Sequence, residues 1–299
     1  MPVIATTALT KRYPRVTALD ELTVEVGSGV TGLVGANGAG KSTLLKILLG
    51  LIAPTAGSAI VLGHDVVTGG EAVRALVGYM PEHDCLPPDV SATEFVVHLG
   101  QMSGLPATAA RERAADVLRH VGLDEARYRP MGGYSTGMKQ RVKLAQALTH
   151  DPKLVLLDEP TNGLDPAGRD EMLALVRRIG TEFGIPVLIT SHLLGELESV
   201  CDHIVVLDGG RLLRSESKAA LTGETGVLAV EVRDLSGRDR LGAALAHAGA
   251  RARAEGPLVL VEITGDATYD LVRDTVAELG LGLVRVEPHR HRLEEVFSV

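Results

Sequence analysis

The chain has 299 residues, too many for a lone metal or disulfide module and enough for one large domain with a small companion. Apolar residues make up 45% and charged residues 23%, which excludes a globally disordered chain. Lys and Arg total 30 against 38 Asp and Glu, a net charge of -8 and the wrong sign for gathering nucleic acid by bulk electrostatics.

The chain passes from Met1-Pro2-Val3-Ile4 almost at once into strand-like sequence. No basic stretch followed by an uninterrupted apolar run stands there, so export is not expected. No segment supplies roughly 18 to 20 consecutive apolar residues, and the greasy run from Leu44 to Ile52 carries Lys46, so no bilayer span is expected. Leu22 to Val26 alternates as a strand and Val30 to Val34 reads as a buried one. Gly35-Ala36-Asn37-Gly38-Ala39-Gly40 then interrupts the chain before an apolar helix. A strand-turn-strand passage surrounds Gly57 to Leu62, and Ala75 to Met80 reads as a strand ending before Pro81.

From about 91 to 150 the pattern turns helical: Ala110, Ala114, Val117, Leu118 and Val121 trace one face, and Met138, Val142, Ala145 and Leu148 another. Sheet character returns at Leu154 to Leu157, Pro186 to Ile189 and Ile204 to Leu207, separated by helical sequence. That alternation predicts an α/β sheet covered on both faces. Asp208-Gly209-Gly210 reads as a hairpin turn into Arg211-Leu212-Leu213. These signals place a first domain at 1–215, a polar linker at 216–226 and a small α+β domain at 227–299. In the last, strands are expected at 227–232, 258–263 and 282–287 and helices at 239–249 and 267–279, with a terminal helix carrying Leu293, Val296 and Phe297. Cys85 and Cys201 are too few and too far apart for a zinc motif or a disulfide scaffold, which suits a reducing compartment.

The strongest chemical signal is Gly35-Ala36-Asn37-Gly38-Ala39-Gly40-Lys41-Ser42, a P-loop pattern with a strand before and a helix after it. Such glycines let backbone N–H groups curl toward phosphate oxygens, and the helix N-terminus adds a favourable field. Gly35, Asn37, Gly38, Gly40, Lys41, Ser42 and Thr43 are the candidate nucleotide-binding residues, with Lys41 reaching the β and γ phosphates and Ser42 ligating magnesium. The bland reading is a Gly-rich turn with a solvated lysine. Four aliphatics from Leu154 to Leu157 deliver Asp158 and Glu159 to a strand's carboxyl end, where α/β proteins hold ligands. Asp158 is expected to hold magnesium and Glu159 to activate the attacking water. A third strand ends in Thr190-Ser191-His192, so His192 is expected to sense the same phosphate.

Tyr134-Ser135-Thr136-Gly137-Met138-Lys139-Gln140-Arg141 shortly before Leu157-Asp158-Glu159-Pro160-Thr161-Asn162-Gly163-Leu164-Asp165 resembles the ATP-binding subunits of ABC transporters, specifically those of ABC-2 type exporters. The resemblance covers about residues 3 to 215. It implies an ATPase domain with a helical subdomain at about 91–150, followed by a C-terminal accessory or dimerisation domain. It further implies that two copies face each other, so that Ser135 and Gly137 contact the γ phosphate bound to the opposite chain. Asp165 would couple the two sites, and Tyr13 would stack on adenine. Glu82 stands where the family usually carries a glutamine; a carboxylate there can ligate magnesium or orient water but adds negative charge beside a triphosphate. Tyr134, Thr136 and Met138 also depart from the commonest signature.

The function so implied is hydrolysis of ATP with Mg2+ to drive a polytopic ABC-2 type permease. The subunit, expected as a homodimer, would sit at the cytoplasmic face of the membrane with no direct nucleic-acid binding. The segment from His83 to Glu94 and the helical insertion would grip the permease. Two other readings stay open from sequence: a soluble ABC-type ATPase switch acting on a nucleic-acid or ribosomal assembly, and a nucleotide-binding regulatory protein without turnover.

Overall fold

Residues 2–217 and 224–290 are described by the structure, a computed structural model. The chain divides into two units, Met1–Lys218 and Ala219–Val299. The first opens with the hairpin β1 (Ile4–Tyr13) and β2 (Val16–Val26) and enters β3 (Val30–Val34). The Gly-rich loop leads to α1 (Lys41–Leu48), then β4 (Ala56–Val61), β5 (His64–Asp65), α2 (Gly70–Leu76) and β6 (Val77–Met80). Three helices follow, α3 (Ala92–Met102), α4 (Ala107–His120) and α5 (Thr136–Leu148). The unit closes with β7 (Leu154–Leu157), α6 (Pro166–Thr181), β8 (Val187–Ser191), α7 (Leu194–Glu198), β9 (His203–Asp208) and β10 (Arg211–Ser217).

Two sheets carry this unit. An antiparallel one runs β2-β1-β4-β5, and a six-stranded one runs β10-β9-β3-β8-β7-β6. Every pair from β9 to β6 is parallel, and β10 adds an antiparallel edge. The inner strands β3, β7 and β8 are buried at every position, which is why they read as unbroken apolar runs in sequence. Residues of β1, β2, β3, α1 and β4 form the core between the two sheets, with Leu9, Leu22, Leu45, Ile47 and Val61 fully enclosed.

The register positions the site. Val34 pairs with Ser191, Leu157 with Ile189, and Met80 with Leu157, so β3, β8, β7 and β6 release their chains along one edge. The helical insertion begins at a capping box: Ser91 Oγ accepts from the Glu94 amide at 3.2 Å, and the Ser91 amide donates to the Glu94 carboxylate at 3.0 Å. Its helices pack through small residues, Ala110 and Ala114 of α4 being buried with Ala92 and Gly100 of α3. The expected strand from Ala75 is shorter than sequence suggests. Ala75 and Leu76 close α2, and pairing starts only at Val77, opposite Leu154.

The second unit runs β11 (Glu224–Val232), α8 (Leu235–His247), β12 (Ala252–Glu255), β13 (Leu258–Glu262), α9 (Asp266–Glu278) and β14 (Leu283–Arg290). Its sheet order, β12-β13-β11-β14 with every neighbouring pair antiparallel, is the split βαβ arrangement. Leu228, Val230, Leu241, Leu245, Val259 and Val261 fill its own core. Two sequence boundaries shift. Asp234 caps α8 through the Gly237 amide, so that helix starts at Leu235 and not at 239. Residues 216–217 and 224–226 of the expected linker belong to β10 and β11. The expected terminal helix with Leu293, Val296 and Phe297 lies outside the described residues.

Strand β6 meets helix α5 with no side chain between them: a Cβ at Gly78 would lie 2.0 Å from the Ala147 carbonyl oxygen. Gly78→Ala therefore forces backbone apart and is expected to cost about 1–3 kcal/mol. The check is urea unfolding, with a lower midpoint at unchanged slope expected; an unmoved midpoint contradicts the close approach.

Candidate active site

The loop between β3 and α1 is shaped by its glycines. Gly40 has φ +104°, and a Cβ there would stand 2.4 Å from the Ala18 carbonyl oxygen, so no L side chain fits. Gly40 is also the N-cap of α1 and supplies no capping side chain, which leaves the first backbone N–H groups of the helix to meet an external acceptor. Asn37, Gly38, Gly40, Lys41, Ser42 and Thr43 line a cleft of about 310 Å³ together with Glu82 and Glu159. Lys41 is buried; its Nζ donates to the Gly35 carbonyl at 2.6 Å and stands 3.3 Å from Glu159 Oε1.

Strand β7 brings the two carboxylates to this wall. The Asp158 amide continues the ladder by donating to the Met80 carbonyl at 2.9 Å, while Glu159 leaves it with φ +49°, a left-handed conformation strained for a residue with a side chain. That turn sends the adjacent side chains to different partners. Asp158 Oδ1 accepts from Thr190 Oγ1 at 2.9 Å and lies 3.5 Å from Ser42 Oγ. Glu159 Oε2 is 2.8 Å from His192 Nδ1, while Glu159 Oε1 accepts no hydrogen bond. Burial pushes the Asp158 carboxyl up, and the hydroxyls of Thr190 and Ser42 pull it part of the way back.

Of the residues singled out from sequence, the P-loop set, Glu82, Asp158, Glu159 and His192 come together here. The remaining four lie elsewhere in the same unit. Tyr13 is exposed at the end of β1, its ring centroid 5.3 Å from Lys11 Nζ, and does not line the cleft. Ser135 caps α5 by accepting from the Met138 amide at 3.3 Å, with Gly137 in that helix's first turn. Asp165 caps α6 by accepting from the Gly168 amide at 3.0 Å. None of these three lines the cleft of its own chain.

Sequence reasoning missed Thr190, which is fully buried. Its Oγ1 accepts from the Glu159 amide at 2.8 Å and donates to Asp158, so one hydroxyl fixes both carboxylate residues. It also missed Asn162, whose Nδ2 is 3.5 Å from Glu82 Oε1. The Thr190 position at a strand's carboxyl end beside His192 was the available signal.

Chemically the wall suits a polyanion with a hard cation. Among the described residues no group of three or more His, Cys, Asp or Glu could hold a metal alone. The Ser42 hydroxyl and the Asp158 carboxylate are instead the sparse oxygen donors that magnesium uses when phosphates and waters complete its shell. The residues present fit that ion.

Because burial raises the Asp158 pKa above its ordinary 3.8, the folded chain holds this proton more tightly than the unfolded one. Stability therefore falls as pH rises from the unfolded value through the raised folded one, and the penalty is complete above both. Asp158→Asn removes it. The variant's stability relative to wild type is expected to grow as pH rises through that window and then level off, read by urea unfolding at a series of pH values. A difference independent of pH, or one shrinking as pH rises, contradicts the burial cost.

A family profile described as ABC transporter matches residues 19–162. The daunorubicin resistance ATP-binding protein DrrA3 of Streptomyces coeruleorubidus is 36% identical over 98% of this chain and 96% of its own length. The bacitracin transport ATP-binding protein BcrA of Bacillus licheniformis is 37% identical over 71% of this chain and 68% of its own. Among solved structures, the ATP-binding cassette MJ0796, seen as a dimer in a post-hydrolysis state bound to ADP and Pi, matches with a TM-score of 0.65 at 25% identity, covering 72% of this chain and 98% of that one. With a P-loop cleft and paired carboxylates at the edge of a parallel sheet, and a full-length relative of the same kind, the chain belongs to the ATP-binding proteins of ABC transporters.

Proposed function

We propose that this chain is the ATP-hydrolysing motor of an ABC-2 type exporter, acting as a homodimer on the cytoplasmic face of the membrane through a polytopic permease. The observation that carries the reading is the single wall on which Lys41 and His192 converge on Glu159 while Ser42 faces the adjacent Asp158. DrrA3 and BcrA, named for drug resistance and antibiotic transport, support the exporter and favour it over a nucleic-acid or ribosomal switch. Among the described residues no helix is long and apolar enough to cross a membrane, in keeping with a separate membrane partner. DrrA3 aligns across the second unit as well, which supports an accessory or dimerisation role for it in the same kind of transporter.

In this reading the α1 N-terminus and the loop amides bind the phosphates, and Lys41, steadied by the Gly35 carbonyl, adds its charge. Ser42 and Asp158 hold magnesium, which supplies Lewis-acid neutralisation of phosphate charge when bound. Thr190 keeps Asp158 and the Glu159 backbone in place. Glu159 orients the attacking water and takes its proton, with Oε2 held on His192 Nδ1 at 2.8 Å and Oε1 facing Lys41 Nζ at 3.3 Å. Glu82 lies close enough to the cleft to join the magnesium shell or orient water.

Tyr13 stacks on adenine from the hairpin tip. Ser135 and Gly137 present an N-terminal helix end, suited to an anion, to the γ phosphate held by a second copy, and Asp165 links the paired sites. That these three miss their own chain's cleft supports completion across a dimer, as does the dimeric MJ0796 cassette.

The test is affinity capture of the tagged chain from gently solubilised membranes, with magnesium-dependent ATPase assays of wild type and Glu159→Gln. A stoichiometric polytopic partner is expected, with turnover lowered about 10²–10⁴-fold in the variant and nucleotide binding kept. A soluble nucleoprotein partner without a membrane protein overturns the exporter; unchanged turnover overturns Glu159 as the base.

A further inference from the structure

Lys143 lies on α5 and is 3% exposed, an unusual place for an ammonium. Its Nζ donates to the backbone carbonyl of Glu82 at 2.8 Å, and among the described residues no carboxylate stands within the 4.0 Å of an ion pair. One carbonyl satisfies one of three donors and does nothing to balance the charge. The balance lies around it. Burial draws the ammonium pKa down, and the carboxylates of Asp84, Glu82 and Asp158 oppose only part of that shift.

The fold builds this arrangement deliberately close to the cleft. Gly78 lets α5 lie against β6 at Ala147, one helical turn beyond Lys143, which aims Lys143 at the chain leaving β6. Lys139, one turn before, pairs with Asp84 at 2.8 Å. Gln140 Nε2 donates to the Asn162 carbonyl at 3.0 Å, and the Asn162 amide faces the Glu82 carboxylate. Glu82 is therefore tied to α5 twice, through its carbonyl and through Asn162.

Glu82 lines the cleft with Glu159, which Lys41 already faces, and the Asp158 carboxylate stands beside it 3.5 Å from Ser42 Oγ. A site crowded in this way repels a nucleotide polyphosphate unless another cation answers the added charge. We infer that Lys143 is a positioning residue that holds the Glu82 backbone and offsets the Glu82 charge, which lets the cleft accept a magnesium-bound nucleoside triphosphate. The inference rests on reading the cleft as the ATP site. It differs from a plain tether in one respect: the tether ends on a carbonyl that any residue at 82 possesses, whereas the offset needs the carboxylate.

A double-mutant cycle separates the two. Binding of a fluorescent N-methylanthraniloyl ATP with magnesium is measured on full-length wild type, Glu82→Gln, Lys143→Met and the double variant. Lys143→Met is expected to weaken binding about tenfold with Glu82 present and about twofold or less with Gln at that position. Lys143→Arg, which keeps the charge, is expected to stay within about threefold of wild type. Equal losses in both backgrounds overturn the offset and leave a tether. If Lys143→Met does not fold, Lys143→Gln carries the same comparison. Wild type that binds no nucleotide overturns the cleft reading and this inference with it, whereas wild-type binding with equal losses overturns this inference alone.

Discussion

Parallel strands that end in register impose the constraint on which the rest of this molecule depends. A parallel pair needs a crossover to return the chain, so each strand delivers its next loop to the same edge, and residues far apart in sequence become neighbours there. Here that edge collects the Gly-rich loop after β3, the carboxylates after β7, the threonine and histidine that end and follow β8, and the glutamate after β6. A one-residue slip between β7 and β8 would turn Thr190 away from Asp158 and Glu159 and leave buried polar groups on both strands unpaired. The chemistry of the wall and the register of the sheet are thus held by the same contacts.

The electrostatics follow from gathering so many charges in one enclosed place. Asp158 and Glu159 are nearly as inaccessible as the aliphatics that precede them, and carboxylates are kept there only against hydroxyls, an ammonium and an imidazole. Such a wall is costly for the fold by itself. That is the usual condition of sites that must meet a charged ligand, where stability is given up for preorganisation.

What could be read from sequence was what is contiguous. The P-loop, the four aliphatics before Asp158 and the strand before His192 are local patterns, and each sits where its spacing implied. Thr190 was hidden because its meaning lies with partners 31 and 32 residues earlier, joined only by strand pairing. Lys143 was hidden for a different reason: a lysine on an amphipathic helix reads as solvated, and its burial follows from the close approach that Gly78 permits on another element. In the second unit β12 escaped notice because its Ala-Arg-Ala-Glu sequence carries no β-branched or aromatic residue, and only pairing with β13 makes it a strand. Ser135, Gly137 and Asp165 show the converse limit. Their spacing marks them out, yet within one chain they serve as caps and first-turn residues of helices.

The contact between Gly78 and Ala147 has a mechanical consequence. Most helices rest on sheets through a layer of side chains, and small relative sliding is absorbed there by changes of rotamer. Where main chain touches main chain that cushion is missing. The end of α5 and the strand beneath it must travel as one stiff piece, so a push received at the opposite tip of the helix reaches the strand's edge as a rotation of the whole, without being spent on the way.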